Sequence, residues 1–556
     1  MTSARTSDLW WKNAVIYCLD VETFLDWNDD GIGDLQGLGE RIDYLAGIGV
    51  SCLWLMPFYP SPNRDDGYDI TDYYAVDDRL GDLGEFTALI RTAKDRGLRV
   101  IVDLVVNHTS DRHPWFRAAR ASTDSPYRDY YVWRDEEPET PPGAVVFPDA
   151  EDTIWSWDEK AEQWYLHHFY AHQPDLNFSN RAVRDEIAKI AGFWLALGVD
   201  GFRVDAVPFL LEQGPIPGDV DLDPHDFLQD FRSFVARRRG DAVLLGEVNL
   251  PPKPLLEFFG NQGDEMQLLF NFPLMQAMYL ALARQHAAPL AAAIRETEDL
   301  EGCQFANFVR NHDELTLDQL SERERQEVFD AFGPEPDMQL FGRGIRRRLP
   351  PMLDGDQRRI RMVYSLLFSL PGTPVLFYGE EIGMGENLEI EGRRSVRSPM
   401  QWIDDAKAGF SDARPSRLIR PVTEGRFGPM AVNVAAQRRD PDSLLNWMER
   451  IIRRRRETPE IGWGTWRVLE CDPDQLLAHR CDWEGRSFVA IHNLAADPFH
   501  ARIDLGPELP DEPRLIDMLD EDGAVIEADD GRLELKLDGY GFRWMRIQPT
   551  GETVAP

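Results

Sequence analysis

Short apolar runs alternate with amphipathic stretches through most of the chain. Val15–Leu19 reads as a strand, and Leu35–Ile48 carries apolar residues at helical spacing up to Gly47-Ile-Gly49. Cys52–Met56 is a strand again, Leu83–Lys94 a helix stopped at Arg96-Gly97, and Val100–Val106 a strand with Asp103 inside it. This alternation predicts repeated βα units on a parallel sheet. It resumes with a helix at Val183–Leu197 and strands at Gly201–Val207 and Val243–Val248. Leu268–Phe272, Phe305–Val309 and Val375–Tyr378 bring the count to about eight units, the number of a (β/α)₈ TIM barrel.

Two stretches break the rhythm. From His108 to Asn180 the chain is rich in Trp, Tyr, Pro and Asp and has little periodicity. It reads as a subdomain inserted after the third strand. Beyond a helix at Leu444–Arg455, short alternating runs such as Trp466–Leu469, Leu476–His479 and Ser487–Ile491 predict an antiparallel β domain. The expected division is a catalytic barrel over 1–107 and 181–460, a subdomain over 108–180 and a β-sandwich over 461–556.

Acidic residues close several barrel strands, where a barrel keeps its working groups. Gly201-Phe-Arg-Val-Asp205, Leu245-Gly-Glu247 and Arg310-Asn-His-Asp313 are the informative segments. Converging carboxylates perform glycosidic chemistry, one attacking the anomeric carbon and one protonating the leaving oxygen. A third fixed negative charge suits a developing oxocarbenium ion. Arg203, two residues before Asp205, faces the same side of its strand and would keep that carboxylate ionised. His108 and His312 stand beside these acids as hydrogen-bond donors to sugar hydroxyls. Asp65 and Tyr68 follow the second strand, and a Tyr face is a platform for a pyranose ring. Salt-bridged strand ends would explain one such acid, but they explain an ordered set poorly.

Composition narrows the partners. The 556 residues suit two or three domains and a large core, with 43% hydrophobic and 28% charged residues. A formal net charge of -37 argues against nucleic acid and anionic membranes and suits a neutral sugar. The basic runs Arg346–Arg348 and Arg453–Arg456 read as solvated faces. Five cysteines without a pairing pattern do not make a disulfide framework, and Cys18, Cys52 and Cys303 read as small core residues. The polar start lacks the apolar core of a signal peptide, and no apolar run reaches about 18 residues. A cytoplasmic protein is the expectation, without an organic cofactor; a homo-oligomer is compatible with this composition.

Asp26-Trp-Asn28-Asp-Asp30-Gly-Ile32-Gly-Asp34 alternates oxygen ligands as an EF-hand loop does. Gly37 stands where the closing Glu would be, so it is not an EF-hand. Asp26, Asn28, Asp30, Ile32 and Asp34 are the expected ligands of a structural Ca²⁺, with Mg²⁺ as the alternative ion. A polar turn held by Asx hydrogen bonds is the competing reading.

Asp103-Leu-Val-Val-Asn-His108, Gly201-Phe-Arg-Val-Asp205, Glu247 and Asn311-His-Asp313 resemble the four signature regions of the α-amylase superfamily of glycoside hydrolases. The resemblance implies Asp205 as nucleophile, Glu247 as general acid/base and Asp313 as transition-state stabiliser. It places Asp65, Tyr68, His108, Arg203, His312 and Arg397 around one glucose. Gln173-Pro-Asp-Leu-Asn177 and Arg397-Ser-Pro-Met-Gln-Trp402 are similar to the oligo-1,6-glucosidase branch. Leu53-Trp-Leu-Met-Pro-Phe-Tyr-Pro-Ser-Pro62, Arg310-Asn-His-Asp-Glu-Leu-Thr-Leu317 and Ser443-Leu-Leu-Asn-Trp447 resemble the trehalose synthase family, whose members turn maltose into trehalose in a closed pocket. That likeness implies a second Ca²⁺ site at Asn107, Asp175 and Glu212 with backbone oxygens of Phe209 and Leu210. The chain departs from the family at Gly214–Pro224 and at Val248-Asn-Leu-Pro-Pro252, both expected near the leaving-group subsite.

The expected function is therefore a retaining α-glucosyl enzyme that isomerises maltose and trehalose. The alternatives are a hydrolytic α-glucosidase and, against the presence of all three acids, a non-catalytic binding subunit.

Overall fold

The computed structural model describes residues 9–211, 224–298, 300–510, 513–520 and 524–548. Among them eight parallel strands close into a barrel in sequence order: β1 (Ile16–Leu19), β2 (Cys52–Leu55), β3 (Arg99–Leu104), β4 (Gly201–Val204), β5 (Val243–Gly246), β6 (Leu268–Phe270), β7 (Gln304–Phe308) and β8 (Thr373–Phe377). β8 pairs with β1 to complete the ring. All four residues of β1, β2, β4 and β5 are buried, as expected for strands covered on both faces.

The surrounding helices follow local rules. Leu83–Asp95 starts with a capping box between Asp82 and Glu85 and buries Phe86, Leu89, Ile90 and Ala93 on one stripe. Arg181–Leu197 is capped by Asn180 and ends at Gly198, whose φ of 109° suits glycine. The helix expected over Leu35–Ile48 is two helices, Leu35–Glu40 and Ile42–Ile48, broken at Arg41. Gly37 and Gly39 weaken the first at about 1 kcal/mol each. Gly37 is required, because an added Cβ would lie 2.1 Å from the Leu25 carbonyl oxygen.

Between β3 and β4 the chain forms a three-stranded antiparallel sheet of Trp133–Arg134, Gln163–Leu166 and Trp155–Asp158. A bridge from His108 to Asp175 and the bond from Leu176 N to Asn107 O (2.8 Å) tie this insertion to the chain just after β3, and a bridge from Tyr131 to Leu176 closes it on itself. After β7 a second small sheet, Leu315–Thr316, Gly344–Ile345 and Gln339–Leu340, rises beside it. At the C-terminus a six-stranded and a three-stranded antiparallel sheet enclose a separate core that includes Leu476, Val489, Ile503, Leu533 and Leu537.

The arginine runs expected on solvated faces are partly interior. Arg348 is 1% exposed and donates to the carbonyls of Tyr378 (2.8 Å) and Val396 (2.6 Å). Arg455 is fully buried and donates to Gly372 O (2.8 Å) and Asn13 Oδ1 (3.1 Å). A five-donor guanidinium satisfies carbonyls that the backbone ladders leave unpaired. Charge patterning alone does not reveal that role. Among the described residues no helix is long and apolar enough to cross a membrane.

Candidate active site

The strand ladders bring the acids together. Asp103, Arg203 and Leu245 lie side by side across β3, β4 and β5. β4 ends at Val204 rather than Val207, but the ladder runs one step further. Asp205 N donates to Leu104 O (3.3 Å), Glu247 N to Val204 O (3.0 Å) and Val207 N to Glu247 O (3.2 Å). Asp205 and Glu247 are thereby fixed at adjacent strand ends. Ala206 turns the chain away at φ 49°, a left-handed conformation that costs a non-glycine residue about 1–3 kcal/mol. Its N–H donates to Glu247 Oε2 at 3.3 Å.

Arg203, buried at 1% exposure, organises this cluster. Nη1 binds Asp103 Oδ1 (2.7 Å) and Asp205 Oδ1, while Nη2 binds Glu247 Oε2 (2.6 Å). One guanidinium faces three carboxylates. Burial pushes the Asp205 carboxyl up to about 6, against the pull of Arg203. Burial pushes Glu247 up to about 7, again against Arg203, with the Asp205 and Asp313 charges adding to the rise. Asp103 is likewise raised to about 6 by burial, while Arg203, Trp54 Nε1 (2.9 Å) and Tyr68 OH (3.2 Å) bind it.

Asp313 stands on the loop after β7, its N–H capped by Asn311 Oδ1 at 3.1 Å. Its Oδ1 accepts from Arg393 Nη1 (2.7 Å) and Arg397 Nη2 (2.9 Å). Burial works against its ionisation, but the Arg393 and Arg397 guanidinium groups outweigh it and hold the carboxyl below the usual range, with His312 Nε2 3.1 Å from its Oδ2. Tyr68 stacks on His312 with 4° between the rings, and its OH meets His312 Nε2 at 2.7 Å. Burial depresses both His312 and His108, which keeps them neutral donors or acceptors. His108 Nε2 contacts Tyr68 O at 3.1 Å, and its buried Nδ1 has no protein partner among the described residues.

A pocket of about 470 Å³ opens over these groups, with Asp65, Tyr68, His108, Asp205, Glu247 and Asp313 in its wall. Arg203, His312 and Arg397 stand directly behind, gripping the residues that line it. Three partners were not expected from the sequence. Arg393 bridges Asp313 and Asp65 (2.7 Å to each), Gln173 donates to Asp65 (3.0 Å), and Asp66 binds Arg397 at 2.6 Å. Asp66 lies between Asp65 and Tyr68, whereas Arg393 belongs to a single 3₁₀ turn, Gly392–Val396, too short to carry a periodic signal.

The Asp26–Asp34 loop has the pattern of a polar turn held by its own Asx hydrogen bonds and by donors from Ser411 and Asp412. Asp26 accepts from Asp29 N and Gly31 N, Asn28 from Asp30 N, Asp30 from Ile32 N, and Asp34 from Trp27 N, Asn28 N and Gly37 N. Of the second set, Asn107 Nδ2 donates to Asp175 Oδ1 at 3.2 Å, and buried Asn107 Oδ1 has no protein partner among the described residues. That orphaned oxygen suits a cation, while Asp175 is already held by His168 N (3.3 Å) at Oδ1 and by His168 Nδ1 at Oδ2. Phe209 and Leu210 lie on the short helix after Ala206, and Glu212 and most of the Gly214–Pro224 loop lie outside the described residues. Among the described residues no group of three His, Cys, Asp or Glu has metal-binding spacing.

Residues 19–329 and 346–464 match the alpha amylase catalytic domain, and 485–546 match a sucrose hydrolase-like C-terminal domain. A trehalose synthase of Pimelobacter sp. is 39% identical, covering 98% of this chain and 97% of its own. A trehalose synthase/amylase of Mycobacterium tuberculosis is 40% identical, covering 98% and 92%. Among solved structures, a trehalulose synthase mutant in complex with Tris superposes with a TM-score of 0.77 at 28% identity, covering 97% and 100%. The isomaltulose synthase of Protaminobacter rubrum gives 0.76 at 26%, covering 97% and 99%. With a matched catalytic domain spanning most of the barrel and whole-length relatives at this identity, the chain belongs to the alpha-amylase family.

Proposed function

We propose that the protein is a retaining α-glucosyl enzyme that isomerises maltose and trehalose. The observation that carries this reading is Arg203 holding Asp205 and Glu247 on its two terminal nitrogens. Two acids sharing one guanidinium suit the close spacing of retaining enzymes, about 5–5.5 Å, rather than the wider gap of inverting ones.

Asp205 attacks the anomeric carbon while Glu247 gives its proton to the glycosidic oxygen. The C–O bond breaks and a glucosyl ester forms on Asp205. The freed sugar turns within the pocket. Glu247, now a carboxylate, takes the proton of a different hydroxyl, whose oxygen attacks the anomeric carbon and releases Asp205. Asp313 supplies the fixed negative charge for the oxocarbenium-like passage. Asp65, Tyr68 and His108 hold the glucose from the pocket wall, and Arg203, His312 and Arg397 hold the acids and the aromatic platform.

Retention of the freed sugar needs water kept out. The mouth is bridged where Arg343 donates to Val146 O (2.7 Å) and Phe341 packs on Phe147 (5.2 Å). A hydrolytic α-glucosidase is the second reading. Asn249 and Leu250, in the stretch where the chain departs from the trehalose synthase pattern, line the pocket beside Glu247. Incubation with maltose and separation of the sugars decides between them: trehalose in excess of glucose supports isomerisation, and glucose with no new disaccharide rejects it.

Structural Ca²⁺ at the Asp26–Asp34 loop and at Asn107–Asp175 belongs to the same proposal. Asp26 Oδ1, Asp30 Oδ1 and Asp34 Oδ1 take one N–H each and keep a second lone pair for a cation, as does the unpartnered Asn107 Oδ1, whereas Asp26 Oδ2, Asp34 Oδ2 and Asp175 Oδ1 already take two donors. EDTA treatment then lowers Tm, and Ca²⁺ or Mg²⁺ restores it; an unchanged Tm leaves the Asx turns as the whole explanation. The five free cysteines favour the reducing cytoplasm as its site of action.

A further inference from the structure

We infer that Arg420, which lies outside the pocket, is a positioning residue that sets the orientation of Asp313 through Arg397. The inference rests on the role given to Asp313 above. Arg420 is 5% exposed and grips Arg397 at two points. Its Nη1 donates to the backbone carbonyl of Arg397 (2.9 Å) and to Asp20 Oδ2 (3.1 Å). Its Nη2 lies 2.9 Å from Asp66 Oδ1, and the other oxygen of Asp66 takes Arg397 Nη1 at 2.6 Å. Arg397 then spends its remaining donors on the site, Nη2 on Asp313 Oδ1 (2.9 Å) and Nε on His312 O (2.8 Å). Both ends of Arg397 are thus set by one residue that touches neither Asp313 nor the cavity.

The alternation of charge along Asp313, Arg397, Asp66, Arg420 and Asp20 makes each link depend on the next. Burial opposes an ionised Asp66, but Arg420 and Arg397 overcome it and hold its carboxyl below the usual range. The segment carrying Arg420 is itself docked. Ile419 N donates to Gly31 O at 2.8 Å, and a Cβ on Gly31 would meet Arg417 O at 2.0 Å. Gly31 has φ 102°, so the close approach and the backbone both demand glycine. Arg420 is held from the Asp26–Asp34 loop on one side and holds the site on the other.

His312, Arg393, Arg397 and Arg203 face Asp313 and favour its ionised form, while Asp205, Glu247, Glu314 and Tyr68 face it as groups whose own ionisation its charge opposes. Weakening the Arg397 contact removes one cation from an acid that must be ionised. The Asp313 charge already pushes the Asp205 carboxyl up, so leaving that charge less compensated raises Asp205 further and moves the acid limb of activity to higher pH, which simple loosening of the fold would not do. The test uses p-nitrophenyl α-glucoside as substrate for the full chain and its Arg420→Lys, Asp66→Asn and Asp313→Asn variants, with Tm recorded for each. Arg420→Lys is expected to lower kcat about tenfold with KM within about twofold and the acid limb shifted upward. Asp66→Asn breaks the same link and gives the same signature, and it carries the test if Arg420→Lys does not fold. An unchanged kcat and acid limb in a folded variant overturns the inference, as does a kcat loss that tracks Tm with no limb shift. Asp313→Asn separates the two levels: full activity there removes the parent reading, whereas an inactive Asp313→Asn beside an unaffected Arg420→Lys removes only the role of Arg420.

Discussion

Asp205 and Glu247 sit in one buried cluster yet are given opposite tasks, and their protonation states must differ when substrate arrives. Asp205 must be ionised to attack, so activity falls as pH drops through its raised value of about 6. Glu247 must carry a proton, so activity falls as pH rises through about 7. A bell-shaped kcat/KM profile follows, centred between these values, with limbs that belong to the coupled pair. A profile flat from pH 5 to 9 contradicts the assignment. Glu247→Gln removes the alkaline limb and lowers kcat by about 10²–10⁴ for a natural glycoside. These residues were legible in the sequence because each closes an apolar run. Arg393 and Asp66 were not, because their importance lies in which distant carboxylate or guanidinium they meet.

The barrel strands were legible as elements because strands buried on both faces read as continuous apolar runs. Their ends were less so. Ala206 leaves β4 early through a positive φ, which no apolar pattern foretells. The small sheet after β7 went unread, since pairs of two residues carry no period. The interior arginines show the same limit at the helix Leu444–Arg456. Arg455 reads as one of four exposed cations, yet it closes Gly372 O and Asn13 Oδ1 inside the molecule. Arg455→Met should destabilise the fold by about 1–3 kcal/mol for each acceptor left without a donor. Urea unfolding of Arg455→Met beside Arg453→Met checks this; equal stability of the two would refute it.

The C-terminal sheets are fastened to the barrel by buried polar contacts. Ser365 on the helix Gln357–Ser369 meets His492 Nε2 (2.8 Å) and accepts from Trp544 Nε1 (3.0 Å), while His479 Nε2 meets Ser369 O (2.8 Å). Burial lowers His479 to about 4 and His492 well below its ordinary value. Both are neutral in the folded protein at pH values where the unfolded chain protonates them. Stability is therefore unaffected above about pH 6.5 and is lost as pH falls below it, by up to about 1.4 kcal/mol per pH unit for each histidine. Tm measured from pH 7 to 5 should fall, and less steeply in His479→Gln; equal slopes would refute the linkage. The β domain itself was legible from alternation, but its fastening was not, because it depends on which barrel helix it meets.

A covalent glucosyl ester at Asp205 is the step on which isomerisation depends, and trapping it tests that step directly. Incubation with a fluorinated glucosyl fluoride, followed by proteolysis and mass spectrometry, should find one sugar on the peptide containing Asp205 and none in Asp205→Asn. Continued turnover with no labelled peptide, or a label on any other carboxylate, would contradict it.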